Sequence, residues 1–213
     1  MNVVLLGLPG SGKGTQAELI SKGFNLYYFQ TGEFSRKLAL KNLRIRKIVE
    51  KGELIPEKEM TKYVLEYLDE ELPQGKNILF EGFPRFVSQF ETLEDWLKIR
   101  GQRVDKVLFL NLSEEEVIRR LSSRRICKIC GKVYNLITNP PKGKNCECGG
   151  GLEQRSDDNI KSIKIRLKYY RENTGVLVNY LERLGRLAKI NAERPILEIF
   201  EDIKKNLKTN NEK

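Results

Sequence analysis

The chain has 213 residues, 39% apolar and 32% charged, a composition and length that suit one α/β domain with small insertions, or at most two domains. It contains no histidine, which excludes imidazole catalysis and His–Cys metal sites, and no apolar run is long enough to span a bilayer. The formal net charge of +10 points to polyanionic partners, although most of the lysines read as solvated surface. Met1 to Leu6 lacks a basic leader region and a cleavage site, so it does not read as a signal peptide.

Val3 to Leu6 is a continuous apolar run ending at Gly7, the pattern of a parallel strand buried on both faces. A glycine-rich turn and a helix at Thr15–Ser21 follow. Further short apolar runs lie at Leu26–Phe29, Ile78–Phe80, Val107–Leu112 and Leu187–Ile190. Helical patterns separate them at Phe34–Glu50, Glu57–Glu71, Phe86–Ile99 and Ser113–Arg124. This alternation predicts a parallel five-stranded α/β sheet with helices on both faces. Ser113 with Glu116 reads as a capping box, and Ser156-Asp157-Asp158 as the cap of a long helix. In that helix Ile160, Ile163, Leu167, Tyr170, Thr174, Leu177, Leu181 and Leu184 form one buried stripe, read as core packing. The segment Ile126–Leu152 interrupts the alternation with Pro140-Pro141, several glycines and all the cysteines, and reads as a small inserted module. The polar tail from Lys208 reads as frayed.

Gly7-Leu8-Pro9-Gly10-Ser11-Gly12-Lys13-Gly14-Thr15 follows a strand and opens a helix, the context a phosphate-binding loop requires. The glycines let backbone N–H groups converge on phosphate oxygens, the helix start adds a positive dipole and Lys13 a point charge. Glycine stands directly after the lysine, where the general pattern has Ser or Thr.

In that detail the run resembles the Gly-Lys-Gly-Thr form of adenylate kinases and their nucleoside-monophosphate kinase relatives, and the likeness extends down nearly the entire chain. Thr31-Gly32-Glu33 is similar to the family's Thr-Gly-Asp turn, Gly52-Glu53-Leu54-Ile55-Pro56 to its Gly-Glu-Leu-Val-Pro, and Glu81-Gly82-Phe83-Pro84-Arg85, followed by Gln89, to its Asp-Gly-Phe-Pro-Arg. Arg120 and Arg124 match the arginine pair before the lid, and Arg155 and Arg166 the pair after it. The resemblance implies reversible, Mg²⁺-dependent phosphoryl transfer between ATP and AMP to give ADP. It implies a cytoplasmic monomer that acts on neither nucleic acid nor membrane. It divides the chain into a core (1–29, 56–125 and 156–213), an AMP-binding insertion (30–55) and a lid (126–155).

The same resemblance assigns roles. Gly10, Ser11, Gly12, Lys13, Gly14 and Thr15 would cradle the ATP phosphates. Lys13, Arg120, Arg124, Arg155 and Arg166 would surround the transferring group, the last two also reaching AMP. Arg36 and Arg85 would hold the acceptor phosphate, while Thr31 and Gln89 face its adenine and Gly32, Gly82 and the main chain of Glu53, Leu54 and Ile55 line the same pocket. On the ATP side Arg120 would lie on the adenine face, with Val133, Tyr134 and Arg194 nearby. Glu81 stands where the family has an Asp that holds water on Mg²⁺, and its carboxylate is one methylene longer.

Cys127 and Cys130 form a CxxC knuckle followed by glycine, and Cys146 and Cys148 a CxC followed by two glycines. Four thiolates suit a closed tetrahedral zinc site, structural because no position stays open for chemistry. Zinc lids are found in many bacterial adenylate kinases, but their second half is CxxC; Cys148 aligns with it and Cys146 is displaced by one. Three alternatives stay open: a kinase of UMP or CMP, a zinc-ribbon nucleic-acid-binding protein with a regulatory phosphate loop, and a nucleotide sensor without turnover.

Overall fold

Strand β1 (Val3–Gly7) is buried along its whole length. It sits in the middle of a parallel sheet with β2 (Tyr27–Gln30), β3 (Ile78–Glu81), β4 (Lys106–Asn111) and β8 (Leu187–Asn191), in the order β2-β3-β1-β4-β8. That position explains the unbroken apolar runs, because a central parallel strand has no solvent face. The computed structural model describes residues 1–51, 53–155 and 158–208. Gly52 of the Gly-Glu-Leu-Ile-Pro run, the Ser156-Asp157 cap and the tail from 209 lie outside the described residues.

Helices α1 (Lys13–Phe24) and α9 (Ile196–Lys208) pack together beside the sheet, and α4 (Glu57–Glu71), α5 (Val87–Lys98) and α8 (Gly175–Arg183) form a second packed group. Gln30 lies opposite Glu81, and Leu5 opposite both Glu81 and Leu108, so the carboxyl ends of β1, β2 and β3 open on one edge. Ligands bind at that edge in open α/β sheets.

The opposite edge is tied by Asn2, which is 1% exposed. Its amide nitrogen donates to the carbonyls of Gly75 (2.7 Å) and Arg103 (3.1 Å), and its amide oxygen accepts from the Ile78 N–H (3.1 Å). One side chain thus ties together the segments leading into β1, β3 and β4.

Several local expectations are corrected. The helix expected at Thr15 opens two residues earlier, at Lys13. The single helix expected over Phe34–Glu50 is two, α2 (Thr31–Lys41) and α3 (Leu43–Glu50), because the Asn42 side chain accepts from the N–H groups of Arg44 and Ile45 and starts a new helix. The Ser113 capping box does not form: the Ser113 N–H donates to Glu193, and Glu116 is taken by Arg119 and Arg120. Helix α6 (Glu114–Ser122) stops short of Arg124, which begins strand β5 (Arg124–Cys127). That strand joins β6 (Val133–Asn135) and β7 (Leu152–Glu153) in a small antiparallel sheet. The long helix is α7 (Ile160–Tyr169), capped by Asn159, then a π turn over Tyr170–Thr174, then α8. Of its stripe Ile163, Leu167, Thr174, Leu177 and Leu181 are buried and Tyr170 is half-buried, but Ile160 and Leu184 at its ends are exposed.

Replacing Asn2 by Ala leaves three backbone groups, on the segments leading into β3 and β4, without their side-chain partner, at a cost of about 2 kcal/mol. Equilibrium urea unfolding reads this as a lower midpoint with an unchanged slope.

Candidate active site

Where β1 ends, the chain turns through Leu8 to Gly12 and enters α1 at Lys13. Gly12 has φ 87°, a left-handed conformation that a side chain would strain, and it caps α1 without a side-chain hydrogen bond. The first turn of α1 carries no acid. Its free N–H groups and positive dipole therefore face a space that suits phosphate. The Ser11 hydroxyl is buried there, and among the described residues it has no hydrogen-bond partner. Lys13 Nζ folds back to donate to the carbonyls of Gly7 (2.9 Å) and Leu8 (2.8 Å).

Beside the loop opens a cleft of about 330 Å³. Thr31, Gly32, Arg36, Glu53, Leu54, Ile55, Gly82, Arg85 and Gln89, all assigned to the acceptor by resemblance, line it together with Lys13, Glu81 and Arg166. The Thr31 hydroxyl donates to the carbonyl of Glu81 (3.0 Å), joining the start of α2 to the end of β3. Gly82 has φ 80°, a left-handed conformation that favours glycine, and a β-carbon there would be tight against Thr31 Cβ at 3.3 Å. Arg85 is fixed by its Nε on the Gly82 carbonyl (2.8 Å). Its own N–H donates to Gln89 Oε1 (2.9 Å). Gln89 is buried, and with its oxygen engaged it offers the cleft its amide nitrogen, held only at 3.4 Å by the Glu57 carbonyl.

The cations are close enough to feel one another. Burial pushes the Lys13 ammonium down to about 8; Glu81 opposes the shift, and Arg85, Arg166 and Arg124 add to it. Burial likewise lowers Arg85, against the pull of Glu81. Arg124 is anchored by two bonds to Asp158, Nε–Oδ2 at 2.6 Å and Nη2–Oδ1 at 2.5 Å, and Arg166 reaches the same carboxylate at 3.3 Å. Asp158 is 1% exposed, so these are charge-assisted bonds in a dry setting. Reading it as part of a helix cap missed this role. The signal lay in its position, between two arginines already assigned to phosphate. Tyr170 and Thr174, read as core, also line the cleft.

The remaining assigned residues lie outside that lining. Arg120 is buried against Glu116 (Nε–Oε1 2.7 Å), Arg194 pairs with Asp202, and Arg155 follows β7. Thr15 and Val133 are exposed. Tyr134 is buried with its hydroxyl 3.3 Å from Cys146 Sγ, so its side chain turns to the cysteines.

The four cysteine sulfurs lie within 4.8 Å of one another, with Cys127–Cys148 at 3.4 Å and Cys130–Cys146 at 3.5 Å. Cys146, despite its displaced place in the sequence, is part of the cluster. Hydrogen bonding, first from the Tyr134 hydroxyl, holds its thiol down at about 6. The Ile129 N–H donates to Cys127 Sγ at 3.4 Å. Four converging sulfurs fit a tetrahedral zinc ion.

Residues 5–186 match the family model described as Adenylate kinase. The chain is 40% identical over 211 residues to an adenylate kinase of Methanothrix thermoacetophila, covering 96% of this chain and 97% of that protein. It is 41% identical over 210 residues to an adenylate kinase of Bacillus cytotoxicus, covering 95% and 96%. To one of Caldanaerobacter subterraneus it is 39% identical over 213 residues, covering 97% and 96%. With a phosphate loop, an acceptor cleft and a family match spanning most of its length, the chain belongs to the adenylate kinase family, whose activity is reversible phosphoryl transfer from ATP to AMP.

Proposed function

We propose that this chain catalyses ATP + AMP = 2 ADP by positioning and charge stabilisation alone. The observation that carries the reading is the convergence of Lys13, Arg85 and Arg166 on one cleft that also holds Thr31 and Gln89. The attacking group is an acceptor phosphate oxygen that is already ionised at neutral pH. No side chain has to remove a proton, which is why a chain without histidine suffices. What the reaction needs is two polyanions held in line, with cations around the oxygens that gain charge.

In this reading Arg36 and Arg85 grip the AMP phosphate while Thr31 and the Gln89 amide nitrogen meet its base. Lys13 leaves the carbonyls of Gly7 and Leu8 for the ATP phosphates, beside Gly10, Ser11, Gly12, Gly14 and Thr15. Arg120 and Arg124 approach from the side of α6 and β5, and Arg155 and Arg166 from the side of α7. Val133, Tyr134 main chain and Arg194 border the ATP base. Mg²⁺ bound with ATP would neutralise phosphate charge, and Glu81, a hard oxygen donor beside Lys13, would hold its water shell. Zinc on Cys127, Cys130, Cys146 and Cys148 would staple the lid. Closure of the 30–55 insertion and the 126–155 lid excludes water, so transfer prevails over hydrolysis. The enzyme acts as a cytoplasmic monomer on ATP, AMP and ADP. Among the described residues no helix is long and apolar enough to cross a membrane.

Offered AMP, GMP, UMP and CMP separately with Mg-ATP, the enzyme turns over AMP fastest; a preference for another monophosphate would overturn Thr31 and Gln89 as base readers. Lys13→Ala and Arg85→Ala each lower kcat/KM by about 100-fold or more while the far-UV spectrum stays unchanged. Near-normal rates in both variants would sink the assignment.

The pH dependence has a definite sign. Lys13 titrates at about 8 in the free enzyme, so its cationic form is lost as pH rises through that value. The value of kcat/KM for ATP falls above this pH, whereas kcat holds to higher pH because bound phosphates raise the lysine pKa again. Steady-state rates across the alkaline range check the split. Stripping zinc with a chelator lowers the melting temperature, and a melting curve that does not move would exclude a structural metal.

A further inference from the structure

Tyr134 has more bonding around its hydroxyl than a core tyrosine needs. It is 4% exposed and packs with Cys127, Cys146 and Leu152 in the small core of the lid. Its oxygen accepts from the Glu147 N–H at 3.5 Å, which leaves its proton for Cys146 Sγ at 3.3 Å. Glu147 is the residue between the two cysteines of the CxC. Its carboxylate is bonded to Lys132 at 2.6 Å, and the same ammonium stands 5.5 Å from the centre of the Tyr134 ring. Lys132, Tyr134, Glu147 and Cys146 thus form one connected group. Among the hydrogen bonds of the described residues, Cys146 is the sulfur that receives a side-chain hydroxyl; Cys127 has a backbone N–H from Ile129.

The arrangement answers a geometric problem. The CxC has one residue fewer than a CxxC with which to turn its two sulfurs toward a common centre. Its turn is tight, with the Gly149 N–H on the Cys146 carbonyl (2.8 Å) and the Cys146 N–H on the Gly150 carbonyl (2.9 Å). Tyr134, projecting from β6, holds Cys146 by its sulfur and the following peptide by its N–H. We propose that Tyr134 is a positioning residue for the metal site, setting the affinity of the four-cysteine cluster by orienting Cys146 and hydrogen-bonding its sulfur. This rests on reading the cluster as a zinc site. Its physical basis is that four thiolates give a divalent ion an excess of negative charge. A hydroxyl aimed at one sulfur spreads that charge and fixes the direction of the sulfur lone pairs. Partners that orient metal ligands in this way typically change affinity by about 10-fold to 100-fold when removed.

The test compares the full-length wild-type chain with Tyr134→Phe, which keeps the ring and its packing and deletes only the hydroxyl. Zinc content is counted first, then zinc affinity by competition with a chromophoric chelator, then the sulfur-to-metal charge-transfer band of the cobalt(II)-loaded proteins. Supporting results are one zinc per chain in both, affinity about 10-fold to 100-fold weaker in Tyr134→Phe, and a shifted charge-transfer band. Equal affinity and superimposable cobalt spectra would overturn the role of Tyr134 and leave the zinc site standing. A wild-type chain that binds no zinc would overturn the zinc reading itself, and this inference with it.

Discussion

The candidate site depends on cations held close together in and beside one cleft. Lys13, Arg85, Arg124 and Arg166 act on one another there: burial is the main cause that lowers the Lys13 ammonium, and the three arginines add to it. An empty site of this kind is costly, and a filled one is favourable, because two nucleotide phosphates bring the missing charge. The structure holds the cations in two ways. Lys13 rests on two loop carbonyls. Arg124 and Arg166 share one buried carboxylate, Asp158, which neutralises part of the charge and sets where both guanidinium groups point.

The parallel sheet makes that gathering possible. The phosphate loop follows β1, the Thr31 turn follows β2, and Glu81 and Arg85 stand at and after the end of β3. Three segments distant in sequence meet because their strands are neighbours in register. Asn2 holds the other end of the same strands. The Thr31 hydroxyl on the Glu81 carbonyl then ties the start of α2 to the end of β3 across the cleft.

The lid solves a different problem. Its three strands are short and its buried apolar cluster is small, too little for a module of this size to hold itself together by burial. Beside that small cluster four sulfurs lie within 4.8 Å of one another, an arrangement that fits a metal ion able to staple the module. Asp158 couples this module to the rest, since it bonds both Arg124, at the first residue of the lid sheet, and Arg166, on α7.

The sequence by itself determined the parallel sheet, the phosphate loop and the cysteine cluster. Each rests on local pattern: apolar runs that only a central strand can bury, glycines around a lysine at a helix start, and paired thiols at short spacing. Their physics is carried within a few residues, so it is readable along the chain. Tertiary structure alone decided the rest. It split one periodic stretch at Asn42, whose side chain caps a new helix, and it diverted Glu116 from a helix cap to two arginines. It made Asp158 the anchor of two distant guanidinium groups, and it turned the Tyr134 ring into the sulfur cluster. It also placed Tyr170 and Thr174 of an apparent core stripe along the cleft, at a π turn. These outcomes depend on which charged or hydroxyl group lies nearest in space. Hydrogen bonds and ion pairs act over a few ångströms, and the chain order of their partners does not reveal that distance.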